Sequence, residues 1–386
     1  MNISTIINEF AEERINYFNA VTPPIVQTSN FAFKSVEDLR NAFEKEYDVW
    51  LYSRGNNPTV DILRKKLAAL DGAEDCLVFN SGAAAIFASV LANVKSGDHI
   101  VSVNGVYTWA RKMFEQILPR FGVTHTYIDG TEIINFKKAI QKNTTIFYLE
   151  SPNSWTFDLQ DLKAVATLAK ANNILTICDN SYCTALYQKP IELGIDLVLQ
   201  SATKYIGGHS DVVAGVLTGS KSMIEKIFYS EYMTIGSGIQ PFNAWLLIRG
   251  LRTLTARMEK ITTTTFQVVD YLLKHPKVEE VVFPFNASFA QYELAKQQMK
   301  TVGGLLTFII KVNNANQIEE FCNNLKHILM AVSWGGYESL IIPKYATIAK
   351  NEFDSNNLWH KSLRLYVGLE EPDYIINDLE QAFSRL

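Results

Sequence analysis

Short apolar runs alternate with longer amphipathic stretches through the first two thirds of the chain. The runs at 77–80, 99–103, 124–129, 145–151, 175–180, 197–202 and 212–219 predict seven strands. Between them, segments such as 83–94 and 162–171 carry apolar residues at helical spacing, and Ser96-Gly97-Asp98 and Asn172-Asn173 supply their stop signals. Strands separated by helices predict an α/β fold, with a mostly parallel seven-stranded sheet in one large domain.

A long helical pattern at 243–275, between Pro241 and Pro276, reads as a connector to a smaller α+β domain with strands at 304–312, 330–333 and 363–367. The predicted organisation is an N-terminal arm at 1–52, a large domain at 53–242, and the connector helix with the C-terminal domain at 243–386. No repeat or low-complexity tract interrupts it.

Composition narrows the function. With 386 residues, 47% of them hydrophobic, the chain has material for a large core, and its net charge of −4 argues against nucleic acid or a membrane surface as main partner. No run approaches the ~18 apolar residues of a membrane span, and the first ten residues lack a basic segment leading into an apolar one, so the expected location is the cytoplasm. Cys76, Cys178, Cys183 and Cys322 are scattered, as expected of reduced, buried thiols. The histidines show no ligand spacing, so no metal site is expected.

The chemistry gathers at the strand ends. Lys204 lies in Ser201-Ala202-Thr203-Lys204-Tyr205-Ile206-Gly207-Gly208-His209-Ser210-Asp211, just past one apolar strand, and Asp179 ends the strand before it. Alone, the first would read as a solvated loop lysine and the second as a turn carboxylate. Together, an amine able to form a Schiff base and a carboxylate able to pair with a protonated ring nitrogen suit pyridoxal phosphate. The turn Ser81-Gly82-Ala83-Ala84-Ala85 opens a helix with small residues, which would leave its first amides free for a phosphate. Arg364 stands inside an apolar strand and demands an anionic partner, which could be a structural carboxylate such as Glu338 or Glu370.

The Lys204 run resembles the lysine motif of the pyridoxal phosphate enzymes of cysteine and methionine metabolism, the trans-sulfuration family, and the resemblance is close to full length. It implies the fold of type I pyridoxal phosphate enzymes. It also implies that Gly82, Ala83, Ser201 and Thr203 hold the phosphate, that Asp179 meets the ring nitrogen and that Tyr107 stacks on the ring and assists proton transfer. Many members carry Met where Ala83 stands. Tyr52 and Arg54, in Tyr52-Ser53-Arg54-Gly55-Asn56-Asn57-Pro58-Thr59, would reach the phosphate of a neighbouring subunit, making a dimer with shared active sites, with dimers pairing into a tetramer. Arg364 and Ser333 would hold the α-carboxylate of a small amino-acid substrate.

The segments Glu150-Ser151-Pro152-Asn153-Ser154 and Ser333-Trp334-Gly335-Gly336-Tyr337-Glu338-Ser339 resemble those of bacterial cystathionine β-lyases. Many γ-acting relatives carry leucine where Trp334 stands. The implied activity is β-elimination of L-cystathionine, ahead of a methionine or cystathionine γ-lyase and of homoserine-ester sulfhydrylases or synthases. A catalytically silent scaffold of the same fold is the alternative of another class; keeping Lys204, Asp179, Tyr107 and Arg364 together speaks against it.

Overall fold

The computed structural model describes residues 1–386. All seven expected strands of the large sheet are present: β1 (Asp75–Phe79), β2 (His99–Val103), β3 (Thr124–Ile128), β4 (Thr144–Glu150), β5 (Leu175–Asp179), β6 (Leu197–Ser201) and β7 (Gly215–Gly219). Their order is β1-β7-β6-β5-β4-β2-β3. Strands β2 to β6 pair in parallel, while β7 runs antiparallel to both β1 and β6.

Burial on both faces explains why the strands read as continuous apolar runs. Alternate residues feed two cores: Val78 and Val216 join one, Leu77, Phe79 and Leu217 the other. The helix Pro58–Asp71 packs on this sheet; Asn57 caps its start by accepting the Thr59 N–H at 3.0 Å.

The start of the chain docks against that helix. Ile6 and Ile7 are buried in the core, and the Lys66 ammonium donates to the carbonyls of Ile6 and Ile7 at 2.8 and 3.0 Å. It also pairs with the buried Glu12 at 3.0 Å.

Three expectations for the second half need correction. The connector is two helices, Pro241–Arg252 and Leu254–Lys274, parted at Thr253. The strand expected at 330–333 is only β10 (Leu329–Met330), because Ser333 turns the chain with a positive φ of 79°. The small sheet has five strands in the order β10-β11-β12-β9-β8, with β8 (Val278–Val282) and β11 (Leu340–Pro343) beyond those expected, beside β9 (Leu305–Ile310) and β12 (Ser362–Tyr366). No helix is long and apolar enough to cross a membrane. All four cysteines are buried and free.

Candidate active site

Lys204 follows β6 by three residues and points its amine at the C-terminal loop. It donates to Ser333 Oγ at 2.6 Å and lies 5.5 Å from the centre of the Trp334 ring. The loop can come this close because Gly335, at φ 89°, presses on the lysine backbone: a Cβ there would meet Lys204 Cα at 2.7 Å. Burial and the charge of Arg364 push the amine down to about 8, against a smaller upward pull from Asp179. About a tenth of the amine is then neutral at pH 7, rising to half near pH 8.

Asp179, 7% exposed at the end of β5, accepts from the amide and hydroxyl of Ser181 at 2.9 and 2.6 Å. Burial raises its pKa; the Ser181 bonds and the Lys204 charge hold that rise back. Its neighbour across the ladder is Glu150, at the end of β4. Glu150 is also buried, and burial and then Asp179 drive its pKa well up. Its Oε2 accepts the backbone N–H of Tyr107 at 2.6 Å, which fixes that tyrosine at the mouth of the site, 44% exposed. Burial, then Asp179 and Glu150, raise the Tyr107 phenol.

At the end of β1, Ser81 caps the helix Gly82–Leu91 by accepting the Ala84 N–H at 3.1 Å, which leaves the amides of Gly82 and Ala83 at the open end. Gly82 lies against Ser201, whose Cβ and Oγ would be 3.3 Å from an added side chain. Helix amides and the Ser201 hydroxyl thus converge on one cradle, suited to a phosphate dianion. The Thr203 hydroxyl is engaged inside its own loop: it donates to the Ala214 carbonyl at 3.2 Å and accepts the Ala214 N–H at 3.0 Å.

Arg364, on β12, is 9% exposed. Neither structural carboxylate considered from the sequence pairs with it. Glu338 accepts from Ser210 Oγ at 2.6 Å, and Glu370 accepts from the Ser339 amide and hydroxyl at 2.7 and 2.9 Å. Burial pushes the guanidinium down to about 10, partly offset by Glu150, so it remains a cation at neutral pH.

Trp334 is 7% exposed and packs edge-on against Tyr205, ring centres 5.3 Å apart, so it both fills the core and walls the lysine. Tyr52 and Arg54 do not join this group. Both are exposed, and the Arg54 guanidinium lies over the Tyr52 ring at 5.4 Å. His99 bridges the hydroxyls of Thr144 and Thr126 inside the sheet, and the His209 ring bonds to the Gly207 carbonyl.

Glu150 had no role assigned from the sequence. The signal was there: like Asp179, it is a carboxylate ending an apolar strand.

An amine and a carboxylate at the ends of adjacent parallel strands, beside a helix-borne anion cradle, define a fold-type I pyridoxal phosphate enzyme. The model of the family described as Cys/Met metabolism PLP-dependent enzyme matches residues 4–384. The chain belongs to that family, and pyridoxal phosphate is its cofactor. It is 39% identical to the L-methionine gamma-lyase of Treponema denticola over 378 residues, covering 96% of this chain and 94% of the relative. It is 34% identical to the cystathionine beta-lyase MetC of Bacillus subtilis over 371 residues, covering 95% and 92%. The crystal structure of metB from Corynebacterium glutamicum superposes with a TM-score of 0.91 at 31% identity, covering 100% of this chain and 98% of that one.

Proposed function

We propose that the protein cleaves the Cβ–S bond of L-cystathionine by β-elimination, releasing homocysteine and aminoacrylate, which water hydrolyses to pyruvate and ammonia. The observation that carries this reading is the Lys204 amine, lowered to about 8, held by Ser333 at 2.6 Å and walled by Trp334.

Arg364, unpaired by any carboxylate, takes the substrate α-carboxylate and so aligns the Cα–H bond with the lysine. Lys204 would carry the cofactor until the substrate amine displaces it, and the freed neutral amine would then remove the Cα proton. Bound pyridoxal phosphate supplies the electron sink for the resulting carbanion, and Asp179 keeps its ring nitrogen protonated. Tyr107 would help hold the cofactor and, with Lys204, would carry protons toward the departing sulfur. The Gly82 and Ala83 amides and the Ser201 hydroxyl hold the phosphate.

Trp334 supports β over γ cleavage. Its ring, 5.5 Å from the Lys204 amine, would crowd the space beside the base in which a γ-lyase must manage a second proton removal, from Cβ. The 39% identity to a methionine gamma-lyase favours γ-elimination as the second reading.

The reading includes a dimer. Tyr52 and Arg54 are exposed, and so are Phe18, Phe43 and Trp50 of the same N-terminal region, as a face that meets a second copy would be. From there Tyr52 and Arg54 would complete the partner's phosphate site, and dimers would pair into a tetramer.

Product analysis with L-cystathionine tests the activity. Pyruvate with homocysteine is expected; predominant 2-oxobutyrate with cysteine would replace β with γ cleavage.

A further inference from the structure

Arg364 is a buried cation whose immediate partners are not anions. Its one hydrogen bond goes to the Ser154 carbonyl at 3.3 Å, and its guanidinium carbon lies 5.1 Å from the centre of the Trp155 ring. The backbone that carries the ring is held on both sides. The Trp155 backbone N–H donates to Asn153 Oδ1 at 3.0 Å, and the Trp155 backbone carbonyl accepts the Thr307 hydroxyl at 2.8 Å. Thr307 on β9 is the register partner of Arg364 on β12, so the tryptophan backbone is pinned to the strand pair that carries the arginine. A second cation, Lys344, sits 5.0 Å from the same ring centre, with no carboxylate in ion-pair range.

We propose that Trp155 is a positioning residue whose indole orients Arg364 toward the substrate α-carboxylate without neutralising it. This rests on the reading of Arg364 as the carboxylate anchor.

The physical requirement is specific. An anchor for an incoming carboxylate must be held in one geometry, yet a resident Asp or Glu would form the bidentate pair itself and exclude the substrate. An aromatic face attracts a guanidinium through its quadrupole and offers no competing acceptor, so the in-plane N–H donors stay available. Lys344 on the same ring adds positive charge to this corner, which strengthens its demand for an anion.

The test uses the holoenzyme and steady-state kinetics with L-cystathionine, or with whichever sulfur amino acid it turns over. Trp155→Leu should raise KM by about tenfold while kcat stays within about threefold, the signature of lost binding common to ground and transition states. Trp155→Phe keeps an aromatic face and should hold KM within about threefold of wild type. Propionate, titrated calorimetrically as a carboxylate probe, should bind more weakly to Trp155→Leu and near normally to Trp155→Phe. Trp155→Gln repeats the comparison if the leucine variant does not fold. A wild-type KM in the non-aromatic variants, or a phenylalanine variant as impaired as they are, would overturn the proposal. Arg364→Ala serves as reference: an unchanged KM there would remove the anchor reading itself, and this inference with it.

Discussion

Glu150 and Asp179 are direct register partners at the C-terminal ends of adjacent parallel strands, so two buried carboxylates share one wall of the site. They are not equivalent. Burial raises both; Asp179 is held back by two bonds from Ser181 and the Lys204 charge, whereas Glu150 goes well up under burial and Asp179 despite bonds from the Tyr107 and Ser154 amides and the charge of Arg364. Asp179, with the Lys204 charge beside it, is the carboxylate placed to meet a ring nitrogen.

That asymmetry predicts unequal effects of two isosteric changes. Asp179→Asn should lower kcat/KM by about a hundredfold or more, while Glu150→Gln, a neutral group that still accepts the Tyr107 N–H, should cost less than about tenfold. Steady-state kinetics of the two variants checks this. The reverse order would place the working charge on Glu150.

The lysine predicts a pH dependence. Its amine titrates near 8 in the fold, below the ordinary lysine value of 10.5, so protonation is penalised and the neutral form gains as pH rises through 8. In the cofactor-free protein, the rate of recombination with pyridoxal phosphate should rise with a midpoint near pH 8. Arg364→Ala should move that midpoint up, because a positive neighbour is lost, and Asp179→Asn should move it down. A midpoint near 10 in the wild type would contradict the burial argument.

Much of this site could be read from the chain because parallel strands buried on both faces are apolar runs, and their ends mark where ligands collect. The elements that escaped have physical reasons. Strand β8 is an edge strand, Val278-Glu279-Glu280-Val281-Val282, with two exposed glutamates and a register shift that breaks alternation. Strand β11 has four residues and ends in proline. The helix break at Thr253 has no glycine or proline of its own; Arg257, one turn on, bonds the Thr253 hydroxyl at 3.0 Å and the Tyr205 carbonyl at 2.8 Å, a tertiary contact no local pattern encodes. Trp155 lies in a loop, where neither periodicity nor spacing marks it.

The proposed sharing of sites between subunits predicts complementation. Separately inactive Arg54→Ala and Lys204→Ala subunits, mixed at random, should recover about a quarter of wild-type activity, since half the dimers are mixed and each has one intact site. No recovery in verified mixed dimers would assign Arg54 to its own subunit.

Trp334 tests the choice of bond. Trp334→Ala should lower kcat/KM for cystathionine by about tenfold or more, about 1.4 kcal/mol of transition-state stabilisation, with cofactor absorbance kept. Unchanged kinetics would leave Trp334 as the core partner of Tyr205 alone.

The central claim is that Lys204 is the amine that carries the cofactor. Borohydride reduction of the yellow holoenzyme, followed by peptide mass mapping, tests it most directly. The account predicts loss of the visible band and a pyridoxyl phosphate adduct on Lys204 alone. An adduct on another lysine, or a protein that stays colourless and unlabelled when pyridoxal phosphate is added, would contradict it.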